Sequence, residues 1–149
     1  MKETIAQFLK ITDFPFFIKD KNNREIYVEY SNGYWVKNEY DQNEKQIYIE
    51  NSSGYWYKSE YDQNGKLIYY KNSSGLWSKR EYDQDGNQIY YENSDGFWSK
   101  HEYDQDGNQI YYENSNRTII DKRPKIIELS LQEVADKFGL NVKNIRIKD

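Results

Sequence analysis

The stretch YWYKSEYDQNGKLIYYKNSSG, residues 55–75, decides the architecture, because it recurs every 21 residues with little drift. Trp35, Trp56, Trp77 and Trp98 mark the period, and Tyr40, Tyr61, Tyr82 and Tyr103 follow five residues after each. Residues 55–61 and 67–71 are rich in aromatic and β-branched side chains, whose stiff, broad shapes favour a pleated strand. Asp62-Gln63-Asn64-Gly65 and Asn72-Ser73-Ser74-Gly75 separate them, and such Asn-Gly and Ser-Gly steps tolerate the positive φ of tight hairpins. One unit therefore reads as one hairpin. A helix is excluded, since Gly and Asn return every ten or eleven residues.

Working outward, full units cover residues 34–54, 55–75, 76–96 and 97–117, and the last two differ at only four positions. Residues 20–33 read as the second half of an earlier unit, with Ile26 and Tyr27 where Ile47 and Tyr48 later stand. Residues 118–121 begin another, with Ile119 in the Trp slot. Repeats that cannot bury a face alone stack on their neighbours and end in atypical units. The fold class is mainly β: an elongated, twisted antiparallel meander of nine or ten strands, with helical ends. Three parts form one structural domain: an N-terminal cap at 1–19, the hairpin array at 20–121 and a C-terminal cap at 122–149.

The caps are not repeat. Residues 4–10 suit a short helix with Ile5, Phe8 and Leu9 on one side, and residues 14–18 add an apolar segment to cover the first sheet edge. In the C-terminal cap, residues 126–129 and 142–147 read as strands. Between them Ser130 and Glu133 form a capping box, Leu131, Val134, Ala135 and Phe138 an apolar stripe, and Gly139 a stop.

Register sets the faces. With Asp106-Gly107 as a two-residue turn, Tyr103 lies opposite Ile110 and His101 opposite Tyr112. Phe97, Ser99, His101, Tyr103, Ile110 and Tyr112 then share the core side, with Ile26, Ile47, Ile68, Ile89 and Ile110 as its aliphatic row. Trp98, Lys100, Glu102, Asp104, Tyr111 and Glu113 share the other, where charges alternate with rings. A bulged three-residue turn would shift these pairings.

Composition bounds the function. Hydrophobic residues make up 36%, and 16 Tyr and 4 Trp supply much of that, so the core is thin and wet-edged. Without cysteine there is no disulfide or thiolate metal site. A net charge of −4 with no basic stripe argues against direct nucleic-acid binding. The opening MKETIAQFLKITDF lacks the apolar core of a secretory signal, and no run of about 18 apolar residues could span a bilayer. The expectation is a soluble protein of the cytoplasm, without membrane contact.

Chemistry-bearing groups are sparse. His101, the sole histidine, occupies a slot that holds Asn38, Ser59 and Arg80 in the other units, which suits an incidental sheet position. Glu39, Glu60, Glu81 and Glu102 form one carboxylate row, and Asp41, Asp62, Asp83 and Asp104 another, with Lys37, Lys58, Lys79 and Lys100 alongside. Glycoside hydrolysis needs one acid set apart by its surroundings. Repetition supplies near-equal surroundings, so these rows read as a salt-laced face. The turns at residues 83–87 and 104–108 do not match an EF-hand loop, and turn propensity explains them. The helix near residues 129–139 is not followed by a recognition helix. No catalytic residue, metal site or cofactor is expected.

The Trp row is the strongest functional candidate. Rings on a regular sheet can anchor a protein partner, bind sugars or stack bases. The expected binding face comprises Trp35, Trp56, Trp77 and Trp98, with Tyr48, Tyr69, Tyr90 and Tyr111, and with Glu60, Glu81 and Glu102.

The phrase from Gly54 to Tyr70, Gly-aromatic-Trp-x-Lys-x-Glu-Tyr-Asp-x-Asn-Gly-Lys-x-Ile-Tyr-Tyr, resembles the Tyr-Asp repeats of Rhs-type proteins and the variant MORN repeats of bacterial immunity-like proteins. The likeness covers residues 20–121 and implies hairpin repeats rather than an activity. MORN-like sheets serve as binding surfaces, and small phage and mobile-element proteins with such capped arrays include inhibitors of host defence. The expected function is a non-catalytic protein-binding module, a phage or mobile-element inhibitor of a host enzyme, nuclease or toxin. The repeats are also similar to exported cell-wall-binding repeats that cradle choline or glucan, which would place a ligand near Trp56, Tyr69 and Trp77. A purely structural role and a homodimer through a sheet edge or face are further readings.

Overall fold

The computed structural model describes residues 3–125 and 129–144. A short helix α1 (Ile5–Phe8) precedes strands β1 (Phe16–Lys19), β2 (Glu25–Glu29), β3 (Trp35–Tyr40), β4 (Gln46–Asn51), β5 (Trp56–Tyr61) and β6 (Leu67–Asn72). Then follow β7 (Trp77–Tyr82), β8 (Gln88–Asn93), β9 (Trp98–Tyr103), β10 (Gln109–Asn114), β11 (Ile119–Asp121), helix α2 (Leu131–Phe138) and a 3-10 turn at Val142–Asn144. The strands form one antiparallel sheet of 11, each pairing with its neighbours in sequence. That is the expected meander, longer than the nine or ten strands read from the repeat. The addition is β1, contributed by the apolar N-terminal segment, while β11 is the partial unit expected at residues 118–121. Residues 14–18 thus supply the edge strand itself rather than a cover for it.

Both kinds of turn use the same wiring. The Asp62 N–H donates to the Lys66 carbonyl (2.9 Å), and the Gly65 N–H to the Asp62 carbonyl (3.0 Å). The Asp62 Oδ1 accepts the N–H groups of Asn64 (2.9 Å) and Lys66 (2.8 Å). At the other end of the strands, Asn72 repeats the pattern with Ser74 and Leu76. These are three-residue loops, a type I turn closed by a residue at positive φ. The side-chain oxygen of Asp or Asn at the first position absorbs the turn's free donors.

The three-residue loop corrects the register. His101 does face Tyr112, but Tyr103 faces Gln109, and Ile110 falls in a bulge. Equivalent shifts sit beside Tyr40, Tyr61 and Tyr82. In a bulge two consecutive side chains take nearly the same side. Ile47 and Ile68 accordingly line grooves with Tyr48 and Tyr69 on the charged face, not the face assigned to an aliphatic core. The opposite face carries Tyr rings over small polar residues, with Ser59 and Ser99 each 4% exposed.

Neither face buries a conventional core. Beyond Ala6 in α1 and Tyr27 and Val28 in β2, the only buried apolar side chain among the described residues is Ala135 in α2. Accessible surface totals 11753 Å², against about 8,100 Å² for a compact monomer of this mass. The sheet is held instead by its ladder and by contacts between successive hairpins. The hydroxyls of Tyr61, Tyr82 and Tyr103 donate to the carbonyls of Gln46, Leu67 and Gln88 at 3.4, 3.1 and 3.2 Å. Cross-strand ring and charge pairs add roughly 0.2–1 kcal/mol each.

At the C-terminal end, α2 has the expected capping box, with the Ser130 hydroxyl accepting from the Glu133 N–H and Gly139 left-handed at its stop. Among the described residues, no hydrogen bond, ion pair or ring contact joins it to the sheet. Val142–Asn144 forms a 3-10 turn where a strand was expected. The expected strand at 126–129 lies largely outside the described residues, as does the rest of 142–147.

Candidate partner-binding face

All four indoles stand on one face. Trp35 pairs with Glu29, Trp56 with Glu50, Trp77 with Lys71 and Trp98 with Glu92, always at the same parity. They do not form a straight rank. Lys37 also faces Glu50, so Trp56 stands level with Lys37 rather than with Trp35. Each unit slips two residues relative to the last, and successive indoles climb a diagonal at ~12 Å intervals, from two strand spacings and two residue rises.

Direct cross-strand rows follow from this slip. One runs Glu39, Tyr48, Lys58, Lys71, Trp77, and the next runs Glu60, Tyr69, Lys79, Glu92, Trp98. The expected residues Trp35, Trp56, Trp77 and Trp98, Tyr48, Tyr69, Tyr90 and Tyr111, and Glu60, Glu81 and Glu102 therefore share this face. The rings are half-buried, and the glutamates exposed. Between the rows lie shallow grooves, one of ≈ 550 Å³ walled by Glu60, Ile68, Tyr69, Lys79 and Glu81.

The charges are largely neutralised within strands. Lys37 pairs with Glu39 (2.7 Å), Lys58 with Glu60 (2.6 Å) and Lys79 with Glu81 (2.9 Å). The Glu60 hydrogen bond raises the Lys58 pKa. In the last unit Arg123 replaces this pattern, bonding Glu102 at 3.1 Å and Asp121 at 2.7 Å while lying 4.1 Å over Tyr111. Its hydrogen bonds hold the Asp121 carboxyl at about 2. Ammonium groups also sit over rings, Lys79 over Tyr90 (5.9 Å) and Lys100 over Trp98 (5.4 Å). Such cation–π pairs keep rings and charges fixed in one arrangement.

His101 lies on the opposite face. Its Nδ1 is 3.1 Å from Gln109 Oε1 and its Nε2 3.1 Å from Ser99 Oγ, with its ring stacked on Tyr103. Both nitrogens are taken up by fixed neighbours. The Asp83 and Asp104 carboxylates are likewise engaged by the Asn87 and Asn108 groups of their own turns. Among the described residues no cluster of His, Cys, Asp and Glu could hold a metal ion, and no helix is long and apolar enough to cross a membrane.

One functional feature escaped the sequence reading. Glu29, 2% exposed, docks α1 onto the aromatic face. Its Oε1 accepts from the Thr4 hydroxyl, and its Oε2 accepts from the Ala6 N–H (3.0 Å) and the Tyr27 hydroxyl (2.8 Å). Burial would raise the Glu29 pKa, but these three donors outweigh it and hold the carboxyl below its usual value. Burial, then the Glu29 bond, pushes the Tyr27 phenol up. Tyr27 in turn stacks on Trp35 at 6.0 Å. The available signal was the Thr4-x-x-Gln7 capping box beside a Tyr-x-Glu slot that recurs at Tyr48/Glu50, Tyr90/Glu92 and Tyr111/Glu113.

No family model and no curated protein sequence matches the chain. Among solved structures it is similar to part of the Photorhabdus luminescens Tc holotoxin pore with a mutant TccC3, at 15% identity and TM-score 0.47, over 66% of this chain and 6% of that one. It is similar to TcdB2-TccC3-TEV at 15% identity and TM-score 0.47, and to TcdB2-TccC3-Cdc42 at 15% and 0.48. Both span 66% of this chain, which covers 7% of theirs.

Proposed function

We propose that this chain is a non-catalytic protein-binding repeat module of the Tyr-Asp or variant MORN type, whose indole face docks on a cellular enzyme, nuclease or toxin and inhibits it. The observation that carries this reading is the placement of all four indoles on one side of a single-layer sheet, half-exposed and set among ion pairs. Interfaces concentrate their energy in such aromatic anchors. Lys37, Lys58 and Lys79 on this face are already paired with Glu39, Glu60 and Glu81, so a partner covering these groups leaves none of them without its counter-charge. The setting is the cytoplasm, of the host cell if a phage supplies the protein.

Immobilised protein and a Trp56→Ala, Trp77→Ala double variant test this against host lysate. The expected result is a discrete partner held by the wild-type chain and lost from the variant, while an Arg80→Ala change on the opposite face leaves capture intact. Equal capture by all three sinks the reading. The carbohydrate alternative predicts no stable protein complex, but a tryptophan fluorescence change on adding choline or glucan fragments.

A further inference from the structure

The first repeat already holds an occupant, and that occupant belongs to the chain itself. Tyr27, Glu29 and Trp35 form a triad across β2 and β3, and α1 sits on it. The Thr4 hydroxyl and the Ala6 N–H, donors of the helix's opening turn, both reach the Glu29 carboxylate. Ala6 beside them is 1% exposed, and Ile5 lines the groove against Tyr27 and Trp35.

The same slots recur across the array. Tyr48, Glu50 and Trp56 repeat the triad across β4 and β5, and Tyr90, Glu92 and Trp98 repeat it across β8 and β9. In the unit between them Lys71 stands in the glutamate slot, opposite Trp77. At the two open triads the glutamate is half-buried instead of buried, and no hydrogen bond from another segment reaches it among the described residues. Lys37 and Lys79 lie across from Glu50 and Glu92, but each is bonded to a different glutamate. Neither Glu50 nor Glu92 has an ion-pair partner among the described residues. A groove of ≈ 300 Å³ walled by Ile47, Tyr48 and Glu50 opens beside the first. Burial and then the neighbouring glutamate push the Tyr48 and Tyr90 phenols up, as at Tyr27.

We infer that the Tyr48/Glu50/Trp56 and Tyr90/Glu92/Trp98 triads each receive the opening turn of a helix from a partner protein, one that presents a Ser or Thr cap, the free N–H groups behind it and a small apolar residue, as α1 does to the first triad. The inference rests on the binding-module reading and names the chemistry of the partner segment. A helix start has free backbone donors that need acceptors, and a fixed carboxylate supplies two. The aromatic pair excludes water around that bond, which raises its worth.

An acetylated peptide of residues 3–11, added to the isotope-labelled full chain, is the probe. The indole N–H resonances of Trp56 and Trp98 should shift with a Kd on the order of 1 mM, since a peptide this short must also form its turn. Trp77, with Lys71 beside it, should stay put. Glu50→Gln should weaken the Trp56 response about tenfold, as expected for a hydrogen bond to a charged group, and leave Trp98 untouched. A Thr4→Val peptide should lose most of both responses. Silence at Trp56 and Trp98, or an equal response at Trp77, overturns the inference. Concentration-dependent shifts at Trp56 and Trp98 without peptide would also overturn it, by showing second copies of the chain in these sites. A partner captured through the indoles but not displaced by the peptide defeats this inference and leaves the module reading standing.

Discussion

Glu44 holds a backbone conformation that three later units give to glycine. Its φ is 66°, against 77° at Gly65 and 86° at Gly86. A side chain there crowds the following carbonyl, so Glu44→Gly should raise stability by about 1 kcal/mol, read as a higher denaturant midpoint at unchanged slope. The reverse change is not uniform along the array. A Cβ at Gly65 would meet Lys45 Cε at 2.8 Å, whereas one at Gly54 meets nothing within 4 Å. Lys45 Nζ donates to the Gly65 carbonyl. Gly65→Ala should therefore cost about 1 kcal/mol more than Gly54→Ala, the worth of that bond. Glu29 offers a pH test. A carboxylate whose folded pKa is depressed stabilises the fold above its unfolded value, near 4.3, and loses that contribution as pH falls through the folded value. As pH falls below the usual carboxylate range and through the depressed Glu29 value, α1 should lift from β2 while the sheet persists, seen as loss of exchange protection at the Ala6 amide with β circular dichroism retained.

The hairpin is the unit of stability. Each bonds only to its sequence neighbours, so energy accumulates unit by unit. Excision of residues 76–96 should leave a folded, shorter sheet whose dichroism per residue is unchanged and whose melting temperature falls by only a few degrees. This level was also the most legible in the sequence. The period, the strands, the antiparallel order and the shared side of the indoles all follow from residues 55–75 and their copies. The bulge did not follow, because Asn-Gly serves both a two-residue turn and a three-residue loop with a left-handed last residue. That choice moved Ile47 and Ile68 to the charged face. Docking of α1 was hidden for another reason. Glu29 looks like any glutamate of the repeat, and its burial comes from a segment 23 residues away in sequence.

At the scale of the whole molecule, a single layer leaves both faces wet and makes shape a sensitive report on the fold. Small-angle scattering should give a radius of gyration clearly above the about 15 Å of a compact chain of this length, and a compact value would contradict an open sheet. Among the described residues β1 and β11 are the edges of the sheet, and β11 is short, with Ile119 61% exposed. Strand order that copies chain order has a mechanical consequence. Tension applied between β1 and β11 acts across the strands and loads one hairpin ladder at a time. In an optical trap the protein should lengthen in a staircase of near-equal increments, each releasing one 21-residue unit, or ~70 Å of slack. Unbuckling from the ends inward at low force, it would behave as an extensible strap rather than a rigid rod.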